Sequence, residues 1–275
     1  MDFTLKKYHE LLLALKDSGY HFQAFSGYLE NPEKRVIILR HDVDAKKLNS
    51  LQFAKIQAIN NIRGTYYFRI VPQSFDEKVI REIASLGHEI GYHYETMDTA
   101  RGNINKAWDE FRLNLETFRK IVPITTICMH GSPLSKYDNR SLWKKNDYRS
   151  LGLTGEPYFD IDFSKVLYLT DTGRRWDGEK VSIRDKVQGD EVRNLNSDIR
   201  NLKLTQHHRI PEPGSRNLKI HNTNDIIKAA KSGNLPDQLM ITFHPQRWTD
   251  HPCPWVKELL WQNAKNVIKR MMISS

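Results

Sequence analysis

Residues 35–47 read RVIILRHDVDAKK, and the reading of this stretch decides the fold. Val36 to Leu39 form an unbroken apolar run, the pattern expected of a strand buried on both faces of a parallel sheet. The run ends at once in Arg40, His41, Asp42 and Asp44. A core strand that empties into two carboxylates, an imidazole and a guanidinium makes sense if its carboxyl end lies at a site. In parallel α/β sheets and barrels, ligands bind at that end of the strands.

Outward from this stretch, helix and strand alternate. The pattern predicts an amphipathic helix over 4–18 that stops at Gly19, a strand at 35–39, a helix over about 46–61 and a strand TYYFRI at 65–70. Ser74 and Glu77 have the spacing of a capping box, opening a helix that runs through Leu86 to a stop at Gly87. A strand HEIGYHY follows at 88–94, then a helix over about 103–121 ending before Pro123, and a strand ITTICMH at 124–130. That series predicts an α/β fold with a parallel sheet or barrel and helices outside it. The second half is less regular. It offers a helical LWKKN at 142–146, a strand at 165–171, a long polar stretch over 172–219, a capped helix on TNDIIKAAKSG, a strand LMITFH at 239–244 and a closing helix from about 254. One domain spanning 1–275, with a loop-rich insertion, is expected.

The chain has 275 residues with 39% hydrophobic and 10% aromatic content, enough for a globular core. No apolar run approaches the roughly 18 residues of a membrane span. The N-terminal MDFTLKKYHE lacks the layout of a signal peptide, and Cys128 and Cys253 are the only cysteines, so a cytoplasmic domain without a disulfide framework is expected. Lys and Arg number 42 against 33 Asp and Glu, a net charge of +9. That excess suits nucleic acid, an anionic membrane surface or a phosphorylated substrate. The basic residues are scattered and no nucleic-acid-binding motif accompanies them, so no nucleic-acid partner is expected. An anionic membrane surface stays open as a partner.

Each predicted strand ends in an ionisable residue: Asp42 and Asp44, Arg69, His93, His130, Asp171 and His244. Singly, each has a plain structural role to hand. Asp44 stands where it would cap the next helix, and His130 and His244 precede turn residues. Together they predict one charged rim. Carboxylate oxygens and imidazole nitrogens suit a divalent metal, Zn most of all, with about three protein ligands and an open position for water. A spare carboxylate to take a proton and a histidine to give one complete the parts for hydrolysis of an amide or ester. Arg69 is placed to neutralise the rim or to pair with Asp42. Arg174 and Trp176, in the loop after Asp171, are expected to bind or stack on a sugar.

These residues resemble the polysaccharide deacetylase superfamily, metal-dependent enzymes that remove acetyl groups from sugars. ILRHDVD is similar to its first motif, GHEIGYHYE to its GHEIG-x-H segment, MITFHP to its late strand ending in an acid histidine, and YLTDTGRRWDG, more loosely, to its motif with an Asp and a Trp. The similarity covers about residues 35 to 250 and looks like a branch linked to surface-polysaccharide synthesis. It implies a distorted (β/α) barrel of about seven strands acting on an acetylated sugar or glycan intermediate. By position it implies Asp42 as base, Asp44 and His93 as metal ligands, His244 as general acid and Asp171 as the carboxylate behind that acid. Two departures stand out. Met97 occupies the place of the family's second metal histidine, and CMHGSP stands in place of an Arg-Pro-Pro segment. His130, followed by Gly131, is the expected third ligand, with Glu95 as the fallback. The Asp42-Val43-Asp44 triplet also suits a nucleotide-sugar glycosyltransferase, and a sugar-binding relative without catalysis is a third reading.

Overall fold

The computed structural model describes residues 1–131, 135–176 and 218–274. Its centre is a parallel sheet whose strands are β1 (His21–Gln23), β2 (Val36–Val43), β3 (Thr65–Phe68), β4 (Glu89–Tyr94), β5 (Ile127–Met129), β6 (Leu167–Thr170) and β7 (Gln238–Phe243). The order along the sheet is β5-β4-β3-β2-β7-β6, with β1 beside β2, and every pairing is parallel. The sheet curls into a half-barrel flanked by helices. β5 and β6 are its two edges among the described residues, so the closed seven-stranded ring is not what is seen: six strands form the path and β1 is a short addition. Most of the expected insertion at 172–219, from 177 to 217, lies outside the described residues, as do 132–134 of the HGSP turn.

β2 is the spine. Its first half pairs with β1, its second half with β3, and residues 36–41 with β7 on the other side. It therefore runs further than its apolar run, and Arg40, His41 and Asp42 lie within the strand rather than after it. Side chains alternate along a strand. His41 turns toward the helical layer. There it packs on Phe53 of α3 (Lys47–Ile59) and its Nε2 meets the Tyr8 hydroxyl of α1 (Leu5–Asp17). Arg40 and Asp42 turn the other way, into the hollow of the curl, with the Arg40 guanidinium forked onto the Asp42 carboxylate at 2.8 and 2.7 Å.

The main helices follow the expected layout; α2 (Phe25–Glu30), two four-residue helices at Thr96–Thr99 and Pro157–Asp160 and short 3-10 turns are added, and the helix expected at 142–146 is a 3-10 turn over Asn139–Lys144. One capping assignment changes. Asp76, not Ser74, caps α4 (Glu77–Ser85), accepting from the backbone N–H of Lys78 and Val79. Ser74 instead donates to the carbonyl of Val43 and accepts from the backbone N–H of Arg69, tying the ends of β2 and β3 together. α5 (Thr96–Thr99), α6 (Ile104–Arg119), α7 (Pro157–Asp160), α8 (Thr223–Lys231) and α9 (Pro252–Ser274) complete the helices described. None of the described helices is long and apolar enough to cross a membrane.

Candidate metal centre

Asp44 follows β2 directly, and it does not cap α3. The cap position there is Lys46, which makes no side-chain capping bond. The Asp44 carboxylate faces three imidazoles instead. Its Oδ1 lies 3.6 Å from His93 Nε2 and 3.7 Å from His130 Nε2, and its Oδ2 lies 3.9 Å from His244 Nε2. These gaps are too long for hydrogen bonds.

Each imidazole is held from behind. His93, on β4, has Nδ1 at 2.9 Å from the Cys128 carbonyl of its register partner on β5. A carbonyl only accepts, so Nδ1 carries the proton and Nε2 offers a lone pair. His130 follows β5, where its backbone N–H donates to the Tyr94 carbonyl, and its Nδ1 lies 2.9 Å from Glu95 Oε2, an ion-pair contact without hydrogen-bond geometry. His244 follows β7, with Nδ1 at 2.6 Å from Asp171 Oδ1. A ligating histidine is normally oriented this way, by an acceptor on the nitrogen that does not bind the metal.

Asp171 is fully buried at the end of β6. Its carboxylate also accepts from the His244 backbone N–H, from Arg247 Nη1 at 3.1 Å and from Trp248 Nε1 at 2.6 Å. Burial alone would raise its pKa, but His244 and then Arg247 outweigh burial and hold the carboxyl below its ordinary value. Asp44 behaves alike. Burial opposes its ionisation, while the His93, His130 and His244 imidazoles bring it well below the usual carboxylate range. For Glu95, burial is outweighed by His130 and by the forked Arg69 guanidinium, and the carboxyl falls to about 2. The His130 imidazole rises above its ordinary value, since Glu95 and Asp44 together exceed the effect of burial.

The arrangement fits a divalent ion on two counts. Asp44 Oδ1 is buried and receives no hydrogen bond, an uncommon state for a carboxylate oxygen unless something else satisfies it. Bonds of 2.0–2.2 Å in a tetrahedron put donor atoms about 3.3–3.6 Å apart. The separations between Asp44 and the histidines sit at or just beyond that spacing, and one carboxylate oxygen with two imidazole nitrogens, from His93 and His130, forms a set that Zn accepts. A second, deeper group also could hold a metal ion: Asp42, His93 and Cys128 each offer one ligand atom within 4.8 Å of the others. That group is closed, with Cys128 fully buried and both Asp42 oxygens already engaged by Arg40.

The expected site residues separate into two sets. Asp42, Asp44, His93, His130, Asp171 and His244 come together, with Asp42 Oδ2 at 3.8 Å from His93 Nε2. Glu95 stands behind His130 rather than beside Asp44. Arg69 pairs with Glu95 and donates to the Asp44 backbone carbonyl, whereas the cation on Asp42 is Arg40. Trp176 is not an exposed platform: it is 4% exposed, stacks edge-on against Phe243 and donates to Thr223 Oγ1. Arg174 is buried too, donating to the Trp255 carbonyl and lying over the Phe3 and Trp255 rings. Met97 packs in the core. The structure adds Cys128, Gln246, whose Nε2 donates to Asp44 Oδ2 at 3.0 Å, and Arg247 and Trp248 on Asp171. The HPQRW segment held the signal for the last three, as consecutive polar and aromatic residues after a strand-end histidine.

No protein-family model matches this chain, and neither a curated protein nor a solved structure does.

Proposed function

We propose that this chain is a metal-dependent hydrolase that removes acetyl groups from a sugar or glycan intermediate of surface-polysaccharide synthesis, acting in the cytoplasm on a distorted (β/α) barrel. The observation that carries the reading is a buried carboxylate, Asp44, with His93 and His130 in front of an Oδ1 that receives no hydrogen bond and His244 on the Oδ2 side, each imidazole with an acceptor behind its other nitrogen. Asp44, His93 and His130 would hold the ion. When bound, a divalent ion such as Zn supplies Lewis acidity toward the acyl oxygen and toward water. The chain's own groups do the rest. Asp42 is kept ionised by Arg40, whose charge overcomes the effect of burial, and its Oδ2, which faces His93 at 3.8 Å, would accept a proton through a lone pair that Arg40 does not use. His244 is oriented by Asp171 so that Nε2 faces the centre, where it can deliver a proton to the departing amine or alcohol. The partial exposure of the Asp44, His130 and His244 side chains leaves this set open on one side, as a hydrolytic centre requires.

A nucleotide-sugar transferase built on Asp42-Val43-Asp44 finds less support, because Arg40 occupies both oxygens of Asp42. Incubating the Zn-loaded protein with an N-acetylated oligosaccharide and, separately, with a UDP-sugar tests the proposal. Release of acetate from the first and no transfer from the second is the expected result. Acetate release that is unchanged after Asp44→Asn would overturn it.

A further inference from the structure

α9 is built inside out. Over its described side chains, Gln262 and Asn266 are each 7% exposed, whereas Val256, Leu260, Trp261 and Val267 are 48%, 65%, 58% and 51% exposed. A helix lying on a globular body ordinarily does the reverse. The spacing explains the inversion. Glu258, Gln262 and Asn266 recur every fourth residue and form the inner stripe, while Val256, Leu260 and Val267 recur at four and seven and form the outer one. The inner stripe is anchored by polar contacts. Glu258 pairs with Lys46 at 3.1 Å, Asn266 Nδ2 donates to the Gly173 carbonyl at 3.0 Å, and the Trp255 carbonyl accepts from Arg174. The outward face thus carries Val256, Leu260, Trp261 and Val267 alongside the exposed Lys257, Asn263 and Ala264, and none of the four large apolar side chains packs into the core.

Charge selects what covers it. The segment 252–274 carries Lys257, Lys265, Lys269 and Arg270 against Glu258 alone, and the whole chain is +9. Lys265 lies over the Trp261 ring with Nζ at 4.8 Å from its centroid, a cation at the margin of the apolar face. A second copy would bring the same positive charge against itself. A surface offering both apolar depth and negative charge meets both features, and a basic helix with Trp and Leu on its apolar face is the pattern of helices that lie in the plane of a bilayer. We infer that α9 docks the protein on an anionic phospholipid surface through Val256, Leu260, Trp261 and Val267, with the flanking lysines on the headgroups. This inference does not rest on the proposed reaction.

Co-sedimentation of the full chain with vesicles of phosphatidylcholine alone, or mixed with phosphatidylglycerol, tests it. The bound fraction is expected to rise at least about tenfold with phosphatidylglycerol and to fall back in high salt. Leu260→Glu combined with Trp261→Glu should abolish binding while leaving the circular-dichroism melting curve in place, since both side chains point outward. The salt response of the unaltered chain keeps the test independent of how that variant folds. Equal binding to both vesicles, or none to either, overturns the inference. So does a dimer, seen by analytical ultracentrifugation, that Leu260→Glu dissolves in a chain that does not bind vesicles.

Discussion

Asp44 and Asp42 stand two residues apart and face opposite demands. Asp42 has both oxygens on Arg40, while Asp44 keeps Oδ1 free in front of His93 and His130. Asp44→Asn is therefore expected to lose the metal, and Asp42→Asn to keep it and lose turnover; metal content by plasma emission alongside acetate release checks the pair. Glu95 never reaches the centre in this arrangement, yet its carboxylate stands 2.9 Å behind His130, where it would orient the ring. Glu95→Gln should weaken metal affinity by about 10–100-fold, the usual effect of losing an orienting carboxylate, with His130→Ala at least as severe. Titration with a competing chelator reads both. If His244 gives a proton and does not bind the metal, as proposed, His244→Ala should cost on the order of 10²-fold in turnover with metal content unchanged.

At the scale of the element, β2 carries a charge pair in place of core residues. Arg40 is 1% and Asp42 5% exposed. Arg40→Met would strand a buried carboxylate and is expected to cost about 3–5 kcal/mol, most of it recovered in Arg40→Met/Asp42→Asn; urea unfolding midpoints measure the difference. β4 has its own constraint. A Cβ on Gly91 would meet the Tyr67 ring at 2.3 Å, so Gly91→Ala should cost about 1–3 kcal/mol by overpacking. The six strands of the main path were legible in the sequence, because most are short apolar or aromatic runs bounded by turns or by a charged end, and β4, EIGYHY, is bounded by Gly87 and Glu95. β1 was not, being three residues with one of them exposed and lacking an apolar core pattern. The convergence of strand-end residues was legible for the same reason that parallel strands are. What was not legible depends on tertiary contact. Trp176 reads as a loop residue until Phe243 and Trp248 cover it, and Cys128 is one apolar residue among several until register sets it beside His93. Asp76 outcompeted Ser74 because a carboxylate nearer the helix start is the better acceptor for free N–H groups.

Across the whole molecule, buried titratable groups away from the metal centre fix how stability follows pH. His88 is satisfied as a neutral ring, with Nε2 at the Ala54 carbonyl and Nδ1 accepting from the Gly64 N–H, and burial first of all lowers its pKa from 6.5 to about 4. Burial lowers His41 further, to about 3. For a depressed histidine the contribution is complete above 6.5 and is lost as pH falls toward the folded value. Glu156 acts in the opposite sense. Burial raises it from 4.5 to about 7, so its contribution is present below 4.5 and lost as pH rises to 7. Between 4.5 and 6.5 the two histidines take up protons on unfolding, while Glu156 and Glu89, whose carboxyl burial also raises, release them. Stability should then fall on acidification through that window by no more than about 1.4 kcal/mol per pH unit. Urea midpoints at several pH values test this, and stability that rises on acidification through the window would contradict neutral burial of both rings.

The same eight residues, VIILRHDV, form the spine of the sheet and one wall of the candidate metal centre, and they are paired on both edges. Local opening of β2 would have to separate β1, β3 and β7 from it at once. Its amides should therefore exchange with deuterium only through global unfolding, the slowest class in the chain. Metal bound at Asp44 would then slow exchange throughout this strand rather than near one residue, since a ligand that binds only the folded state raises the cost of the one event that exposes it. Chelation followed by exchange mass spectrometry would report occupancy of the centre from the middle of the fold.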